Sequence, residues 1–325
     1  MTGVRAVVCH AYGPPESVRL EELPAPDLAA GQARVRVSAA AVNFPDVLVL
    51  ANEYQVKVPT PFVPGSEYAG VVTEVAADVT TVTVGDRVTG TGIVGAFAEQ
   101  VTVAATGLTA IPTGVDFRDA AAFGVAHRTA YHTLRSVARL EAGQRLLVLG
   151  AGGGVGLAAV QLGVALGAEV IAVASSDDKL AVAGQHGAKT LVNYRSGELR
   201  TLLKQALPDG AHAVVDPVGG DLSEPALRAL RRGGRFVTVG FASGTIPRIP
   251  LNLVLVKGIA VLGFQFQDLD RDEFRRNEAE LRELLATGAV RPHIGAVYPL
   301  AETAAALREV ADGRAIGKVL IDLAG

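Results

Sequence analysis

A cluster of glycines between two apolar runs is the feature of this sequence with the clearest chemical use. Residues 150–156 read GAGGGVG. One apolar run, 146–149, precedes them, and another, 170–174, follows a helical stretch that Gly167 ends. A glycine turn of this kind places backbone N–H groups and the positive end of a helix dipole against a phosphate. The order strand, glycine turn, helix, strand therefore predicts a dinucleotide site.

The spacing within the cluster is close to that of a dinucleotide turn. It reads Ala151-x-Gly153-x-x-Gly156, with alanine in the first glycine position. Alanine still permits a tight turn if its φ is negative, Gly153 lets a pyrophosphate approach the backbone, and Gly156 lets the helix pack on the strand. Glycine clusters often only turn the chain, but the flanking strands and helix favour the dinucleotide interpretation.

The end of the second apolar run indicates which dinucleotide to expect. An NAD site usually has a carboxylate there, which bonds the adenosine ribose. This sequence has Ala174, Ser175 and Ser176, followed by Lys179. Hydroxyl groups and a cation suit the 2′-phosphate of NADPH, which a carboxylate would repel. In the alternative interpretation Ser176 is a helix N-cap and the two aspartates after it are first-turn acids; both interpretations can hold together.

Composition narrows the class of protein. The 325 residues are enough for two domains, and 49% are hydrophobic, which predicts a packed protein. The net charge of −3 gives no reason to expect a nucleic acid or an acidic membrane as partner. The single cysteine, Cys9, allows neither an internal disulfide nor a cysteine-rich zinc site. We see no signal peptide and no apolar segment that could span a membrane, and we expect a cytoplasmic protein.

The pattern of apolar residues predicts two kinds of structure. Short strands separated by turns predict a small β-barrel-like domain in the first part of the chain. They are expected at 4–9, 18–23, 33–39, 71–75 and 98–103, with a short helix starting at Pro45. From residue 145 onward strands alternate with helices, which predicts an α/β fold with a doubly wound parallel sheet. These strands are expected at 146–149, 170–174, 190–193, 213–216, 235–240 and 259–264. Helices are expected within 116–138, 272–286 and 301–311, and last strands at 297–300 and 318–321.

Further motifs lie along the whole chain. They are VNFPD at 42–46, PGSEYAG at 64–70, VGDRV at 84–88, TAYHTL at 129–134, AGGGVG at 151–156, DPVGG at 216–220 and GRFVTVGFASG at 234–244. Together they resemble the zinc-independent quinone oxidoreductases of the medium-chain dehydrogenase/reductase superfamily. The resemblance implies a GroES-like β-barrel domain for substrate at 1–122 and 288–325. It also implies a Rossmann NADPH-binding domain at 123–287, with the active site in the cleft between the domains.

Zinc separates the branches of this superfamily. Its alcohol dehydrogenases hold a catalytic zinc with cysteine and histidine, and many hold a second zinc with four cysteines. Here Asn43 and Phe44 occupy the region of the first cysteine ligand, and Ser66 precedes Glu67 where zinc enzymes have His-Glu. We therefore expect no zinc. We expect hydride transfer from NADPH to a quinone or an α,β-unsaturated carbonyl, whose oxygen needs only hydrogen-bond donors or a proton from water.

The resemblance also assigns residues to the reaction. Asn43 and Tyr54 are similar to the polar residues that line the family's substrate and nicotinamide cleft, with Tyr54 as a candidate proton source. The alternative is that Asn43 holds a loop and Tyr54 packs on the lid. Thr129 matches the threonine expected near the nicotinamide carboxamide, although threonine in a helix commonly bonds its own backbone.

The remaining implied residues would contact the cofactor. Backbone groups of Gly153, Gly154 and Val155 would bind the pyrophosphate, while Ser175 and Lys179 would face the 2′-phosphate. Further contacts are implied at Tyr194, Phe241, Ser243, Phe264, Phe266 and Arg314, with Lys318 as the rival of Arg314. Tyr194 could instead be a surface tyrosine, and the phenylalanines at 264 and 266 could simply fill core.

The apolar segment 249–266 bears on assembly. One strand here would lie at an exposed sheet edge, which must be covered or paired. The family pairs this edge across a two-fold axis, so we expect a homodimer. The alternative is a helix that covers the edge.

Three functions remain open at this point. The first is an NADPH-dependent quinone oxidoreductase. The second is an enoyl reductase that acts on a short enone or an acyl thioester, and the third is an NADPH-binding protein with little turnover. The near-neutral charge argues against an RNA-associated role for the third.

Overall fold

The computed structural model describes residues 3–324, and these form two compact units. The first, named here the barrel unit, comprises the described residues up to Val125 together with those from Arg291 onward. The second, named the sheet unit, comprises Ala126–Val290. Each unit has its own buried core.

The elements of both units follow one another in chain order. Up to the first boundary they are β1 (Val4–Val8), β2 (Arg19–Leu23), β3 (Gln32–Val42), α1 (Phe44–Leu50), β4 (Glu67–Val75), β5 (Arg87–Thr91), β6 (Gln100–Ala104), β7 (Leu108–Ala110) and α2 (Phe117–His132), which runs across the boundary. The sheet unit continues with β8 (Arg145–Leu149), α3 (Gly154–Ala165), β9 (Glu169–Ala174), α4 (Asp177–Gln185), β10 (Thr190–Asn193), α5 (Leu199–Ala206), β11 (Ala211–Asp216), α6 (Ser223–Arg228), β12 (Leu230–Thr238), α7 (Leu251–Lys257), β13 (Ala260–Gly263) and α8 (Arg271–Ala286). The barrel unit is completed by β14 (Ile294–Pro299), α9 (Thr303–Ala311) and β15 (Lys318–Asp322).

Strand β3 organises the barrel unit because three other strands pair with it. It is 11 residues long and pairs antiparallel with β4, β6 and β15. The sheet has the order β14-β15-β3-β4-β5-β7, and β1 and β2 form a separate antiparallel pair. The strand passes its predicted end at Ala39 because Ala40 and Ala41 are buried and continue the pairing with both β4 and β15.

The sheet unit contains the predicted doubly wound parallel sheet. Its six strands are parallel and have the order β10-β9-β8-β11-β12-β13. The chain moves from β8 outward to β9 and β10 on one side, and then returns to β11, β12 and β13 on the other. The direction therefore reverses between β8 and β11, which is the position where such sheets bind ligands at the carboxyl ends of their strands. Strands β8, β9 and β11 are almost wholly buried, as strands covered on both faces must be.

Several segments differ from the sequence-based expectation; strand β4, for example, begins at Glu67 rather than 71. The helix expected within 116–138 ends at His132, and a π-helical turn follows at Thr133–Val137. Strand β12 begins at Leu230 rather than 235, because Leu230 already pairs with Ala211 of β11. The apolar segment 249–266 holds helix α7 before its strand. Gly258, with a φ of 60°, ends that helix and lets the chain turn into β13.

No helix within residues 3–324 is long and apolar enough to cross a membrane. Cys9 is a buried free thiol, and its sulfur lies 3.3 Å from the carbonyl oxygen of Ala11.

Candidate functional site

The glycine turn between β8 and α3 is built around a contact that leaves no room for a side chain. Gly150 has a φ of 60°, and the N–H of Gly153 donates to the carbonyl oxygen of Gly150 over 2.9 Å. A Cβ on Gly156 would lie 2.0 Å from that oxygen, whereas a Cβ on Gly153 would meet nothing nearer than 3.5 Å. Gly156 is therefore needed for packing, and Gly153 leaves open space beside the turn.

The amino end of α3 offers backbone donors to an anion. The helix begins at Gly154 with Gly153 as its N-cap, and no side chain caps it. The first N–H groups of a helix have no acceptor within the helix, and the positive end of its dipole lies there. Gly153, Gly154 and Val155 are partly exposed. Because the N–H of Gly153 already donates to Gly150, the donors available to a pyrophosphate begin at Gly154.

The carboxyl end of β9 leads into a capped helix and leaves Ser175 and Lys179 beside the glycine turn. The hydroxyl of Ser176 accepts from the N–H of Lys179 over 3.4 Å, so Ser176 is the N-cap of α4. Asp177 accepts from the side-chain amide of Asn193 over 2.8 Å, which holds its carboxylate at the end of β10. A Cβ on Gly152 would come within 2.6 Å of the Cβ and Cγ of Lys179, so the stem of Lys179 lies on the glycine turn. Ser175 is partly exposed beside it.

Sequence reasoning missed a second cation at this position. Burial, and then the positive charge of Arg195, lower the pKa of Lys179 below its ordinary value. Arg195 is exposed and follows Tyr194, which is partly exposed, at the end of β10. The signal was available, since β10 neighbours β9 in a parallel sheet and a basic residue after it reaches the same edge. An anion with two charges would be attracted to this pair of cations.

The carboxyl end of β11 packs against the glycine turn. Asp216 is buried, and its Oδ1 accepts from the N–H groups of Val218 and Gly219 over 2.8 Å each. Its Oδ2 accepts from the hydroxyl of Ser223 over 2.5 Å. These bonds shape the DPVGG turn and bring Val218 against the backbone of Gly150, where an added Cβ would lie 2.6 Å from Val218 Cγ2.

Two predicted residues after β12 reach the same edge of the sheet. A Cβ on Gly219 would lie 2.9 Å from the ring of Phe241, and a Cβ on Gly220 would lie 2.8 Å from the hydroxyl oxygen of Ser243. Both Phe241 and Ser243 are exposed. The structure therefore gathers most of the predicted cofactor residues along one edge, from Tyr194 after β10 to Ser243 after β12.

The remaining predicted residues of the sheet unit lie around α2. Phe264 and Phe266 contact edge to face, with ring centroids 4.8 Å apart. The Phe266 ring lies 5.5 Å from the guanidinium of Arg128 and 5.8 Å from the ring of His132. Thr129, next to Arg128 on α2, is partly exposed. The structure therefore joins the two phenylalanines to the segment of α2 that carries Thr129.

The barrel unit brings three polar strand ends together. Asn43 follows the end of β3, Glu67 begins β4, and Lys318 begins β15. Strand β3 pairs with β4 through Ala41 opposite Glu67, and it pairs with β15 as far as Val42. Antiparallel pairing places the end of one strand beside the start of its neighbours. The three side chains must therefore meet, although they are far apart in sequence.

Glu67 and Lys318 form a fully buried ion pair. Lys318 Nζ lies 2.7 Å from Glu67 Oε1, and the side chains of Lys318 and Glu67 are 4% and 1% exposed. The ammonium also donates to Asn43 Oδ1 over 2.6 Å and to the carbonyl oxygen of Val42 over 3.3 Å. Glu67 Oε2 accepts from the N–H of Val125 over 2.6 Å. Each charge therefore has the partners that burial demands.

This network determines the orientation of Asn43. Its Nδ2 donates to Glu67 Oε1 over 2.9 Å and to Ser66 Oγ over 3.2 Å, while its Oδ1 accepts from Lys318. Both amide hydrogens are therefore donated within the cluster, and the residue is buried. Donation to a ligand would require one of these bonds to be exchanged. The role of Asn43 as a positioning donor stays a prediction.

Asp46 adds an ionisable group to the same cluster. Its Oδ2 accepts from the N–H of Asn43 over 2.7 Å, which caps the start of α1. Burial raises the pKa of Asp46 to about 7. The Asn43 N–H, the Ser66 hydroxyl and the charge of Lys318 oppose that rise in pKa, and the charge of Glu67 adds to it. Sequence reasoning missed this group, for which its place in the VNFPD motif was the only signal.

Two predicted residues lie apart from the cluster. Tyr54 packs against the core of the barrel unit, and among residues 3–324 its hydroxyl makes no hydrogen bond. Arg314 is exposed and paired with Asp312. Its rival Lys318 uses its three N–H groups inside the buried network, so the structure contradicts Lys318 as a cofactor phosphate ligand.

The same unit contains an apolar cavity of about 230 Å³. Val63, Val94 and Val101 form part of its lining, and Ser66 and Tyr68 supply hydroxyl groups. Across the part of the chain that is described, no group of three or more His, Cys, Asp or Glu side chains is arranged to hold a metal.

Comparison with known proteins agrees with this architecture. The family profile described as "Alcohol dehydrogenase GroES-like domain" matches residues 29–113, and that described as "Zinc-binding dehydrogenase" matches residues 154–283. "Quinone oxidoreductase-like protein 2" of Rattus norvegicus is 37% identical over 324 residues, which cover 98% of this chain and 92% of the rat protein. "Quinone oxidoreductase" of Homo sapiens is 30% identical over 98% of this chain and 97% of its own length.

A solved structure gives the same result. The quinone oxidoreductase of Escherichia coli, solved in complex with NADPH, superposes with a TM-score of 0.89 at 28% identity, over 98% of this chain and 99% of the other. A GroES-like unit and a Rossmann sheet in one chain define an oxidoreductase of the medium-chain dehydrogenase/reductase superfamily. Within that superfamily, the chain belongs to the quinone oxidoreductase-like family.

The first prediction concerns the buried ion pair. Lys318→Met leaves the Glu67 carboxylate buried without its cation, and the free energy of unfolding should fall by about 3–5 kcal/mol. The double variant Glu67→Gln/Lys318→Met should lose less, because a neutral amide replaces the stranded charge. Urea unfolding measures both. Lys204→Met, at an exposed lysine of α5, is the control and should change stability by less than about 0.5 kcal/mol. If Lys318→Met were as stable as Lys204→Met, the assignment of a buried ion pair would be contradicted.

The second prediction concerns pH. Because the pKa of Asp46 is about 7 in the folded protein and 3.8 for an unperturbed aspartate, the folded state holds its proton more tightly than the unfolded state. The stability from this proton is complete below about pH 4 and is lost as pH rises through about 7, with a slope of up to about 1.4 kcal/mol per pH unit. The free energy of unfolding of the wild type, relative to that of Asp46→Asn, should therefore fall as pH rises from about 4 to about 7. Urea unfolding of both proteins across this range is the measurement. A constant difference would refute the raised pKa.

Proposed function

We propose that the protein is an NADPH-dependent quinone oxidoreductase that transfers hydride without zinc. The observation that carries the proposal is the pair of cations, Lys179 and Arg195, beside a glycine turn at the direction reversal of a doubly wound sheet. That edge offers helix N–H groups for a pyrophosphate and positive charge for a further phosphate. Relatives named quinone oxidoreductase, and a neighbour solved with NADPH, support it.

The sheet unit supplies the groups that would hold NADPH. The N–H groups that begin at Gly154 would bind the pyrophosphate, and the open space at Gly153 lets it approach. Lys179, Arg195 and the hydroxyl of Ser175 would bind the 2′-phosphate, with Tyr194 beside the adenosine. Phe241, Ser243, Thr129, Phe264 and Phe266 are proposed further contacts. When bound, NADPH supplies the hydride.

The donor set of the barrel unit does not suit a zinc ion. Asn43 and Ser66 present an amide and a hydroxyl, and Glu67 is already neutralised by the ammonium of Lys318. A divalent cation at this cluster would be repelled by that ammonium, and zinc prefers thiolate, imidazole and carboxylate ligands. We therefore propose that charge developing on the acceptor is met by hydrogen-bond donors. The family resemblance implies two candidate donors: Asn43, which would exchange one of its bonds to Ser66 or Glu67, and Tyr54, whose hydroxyl makes no hydrogen bond within residues 3–324.

A quinone or an enone suits a site with hydrogen-bond donors and no zinc better than an alcohol does. Such acceptors take hydride at carbon or oxygen while the charge collects on an oxygen that donors or water can protonate. Arg314, exposed at the surface of the barrel unit, stays a proposed phosphate contact.

The third prediction tests the reaction. The purified protein, dialysed against a chelator, should oxidise NADPH when a small quinone is added and should keep the activity it had before dialysis. Enoyl thioesters, offered at the same concentration, should be turned over at least about 10-fold more slowly as judged by kcat/KM. Absorbance of NADPH at its long-wavelength band gives the rate. Faster turnover of the thioesters would favour the enoyl reductase, activity lost with the metal would refute zinc independence, and no turnover of either class would leave a nucleotide-binding protein.

The fourth prediction tests the nucleotide preference. Lys179→Ala and Arg195→Ala should each weaken NADPH binding by about 10-fold, since each removes one charge-assisted contact to a phosphate. Binding of NADH should change by less than about two-fold, because NADH lacks that phosphate. Fluorescence titration of both nucleotides provides the constants. Lys189→Ala, at an exposed lysine before β10, is the matched control. The proposal would be contradicted by a wild type that binds NADH more tightly than NADPH, or by variants whose affinities for the two nucleotides fall equally.

We also propose that the protein forms a homodimer. Strand β13 is the last strand of the six-stranded sheet, and among the described residues only β12 pairs with it. Helix α7 next to it in sequence exposes Leu251, Leu255 and Val256, and Leu255 is 82% exposed. An open strand edge and exposed apolar side chains together favour pairing with a second copy.

The fifth prediction concerns this dimer. Light scattering at micromolar concentration should give twice the mass of 33.5 kDa for the wild type. Leu255→Glu/Val261→Lys should give the monomer mass, because charge at an apolar edge opposes pairing. Val84→Lys, at an exposed apolar residue of the barrel unit, should remain dimeric. A monomeric wild type, or a double variant that still dimerises, would contradict the proposed interface.

A further inference from the structure

A second concave surface of the sheet unit lies at the amino ends of the parallel strands, whereas the glycine turn lies at their carboxyl ends. Its volume is about 480 Å³, and it is lined by Gly210 and Leu230, which lie at the amino ends of β11 and β12. The nucleotide residues described above follow the carboxyl ends of the strands. In a parallel sheet these two edges are separated by the length of the strands. The surface, named here the amino-edge cavity, is therefore distinct from the proposed NADPH site.

The lining of the amino-edge cavity is strongly basic. Six of its side chains are cations and only one, Asp209, is an acid; the cations are Arg200, Lys204, Arg228, Arg231, Arg232 and Lys257. The whole chain has a net charge of −3, so this concentration of positive charge is not an average property of the protein. A concave surface lined by one sign of charge focuses the field and attracts ligands of the opposite sign.

Most of these cations form no ion pair with a carboxylate of the described residues. Asp209 is paired with Arg145, outside the lining, and Arg228 is paired with Glu224. Within residues 3–324, none of the other five lining cations forms an ion pair with a carboxylate. Arg232 and Lys257 donate instead to backbone carbonyl oxygens, including that of Val256. Arg200 and Lys204 lie one turn apart on α5 and are exposed, and their side chains make no hydrogen bond to another described residue.

Burial and nearby cations together lower the pKa of two basic groups at the cavity. Burial, and then the charges of Arg231, Arg145 and Arg235, lower the pKa of His212. Burial, and then the charge of Arg228, lower the pKa of Lys257. Burial is the larger cause in both cases, and the nearby cations add to it; a bound anion would offset their repulsion.

We propose that the amino-edge cavity binds a small organic molecule that carries two or more phosphate groups. Its volume lies within the range of about 300–1,000 Å³ that is typical of sites for small ligands. Guanidinium groups match phosphate oxygens in pairs, and several cations around one cavity suit more than one phosphate. Leu207, Leu230 and Leu253 give the cavity an apolar wall, which an organic part of the ligand would cover.

The test uses the full chain saturated with NADPH, so that the nucleotide edge is already occupied. Isothermal titration with inorganic pyrophosphate should show one site that weakens as salt is added, since ion pairing at an exposed surface is screened. Arg200→Ala/Lys204→Ala should raise the dissociation constant by at least about 10-fold. Lys189→Ala/Arg282→Ala removes two exposed cations from the same unit outside the cavity and should leave it within about two-fold. Thermal unfolding confirms that both double variants remain folded.

Three results would overturn the proposal. The first is that neither pyrophosphate nor adenosine diphosphate binds the NADPH-saturated protein at about 1 mM, the concentration at which even a weak specific site is detected. The second is that the cavity variant binds as well as the wild type, and the third is that both double variants lose affinity equally. Adenosine diphosphate should bind more tightly than pyrophosphate, because its organic part covers the apolar wall. Equal affinities would refute a contribution from that wall.

Discussion

The contact between Gly156 and the carbonyl oxygen of Gly150 is the constraint on which the nucleotide edge depends. Helix α3 can begin directly after β8 only because no Cβ separates the first turn of the helix from the preceding loop. That approach puts the free N–H groups of α3 at the position where the sheet reverses direction. The stem of Lys179 then lies on the turn from one side, and Val218, held by the hydrogen bonds of Asp216, packs on it from the other.

The barrel unit contains a buried cation, Lys318, within a cluster of polar strand ends. Lys318 comes from the last strand, Glu67 from the fourth and Asn43 from the end of the third. Their ion pair and hydrogen bonds connect the carboxyl-terminal segment to the amino-terminal strands. Burying two charges costs a large desolvation free energy, which full hydrogen bonding offsets. The same network holds the amide of Asn43 in one orientation and leaves Asp46 as a buried acid whose pKa is close to neutral.

The two units therefore contribute different chemistry to the proposed reaction. The sheet unit offers positive charge and backbone donors suited to a nucleotide, and its opposite edge offers a second basic surface with no role in that binding. The barrel unit offers a buried polar cluster around the ion pair of Lys318 and Glu67. This separation fits a reaction in which the cofactor carries the reactive hydride and the protein supplies placement and hydrogen bonding.

The sequence by itself determined the elements that depend on local pattern. The alternation of apolar runs with helical stretches predicted the parallel sheet, and the glycine spacing predicted its nucleotide turn, because both follow from the side-chain period and from residues without a Cβ. Helix α7 was missed, since a short apolar run fits a helix or a strand equally well. The early start of β12 was missed because residues 230–234, LRRGG, carry no strand pattern and pair with β11 only through the tertiary fold. Only the tertiary structure decided that Lys318 is a buried partner of Glu67 rather than a phosphate ligand. It also decided that Arg195 joins Lys179 and that six cations share one cavity. The physical reason is that these arrangements depend on strand register and on which ends share a sheet edge, and neither is encoded in a local run of residues.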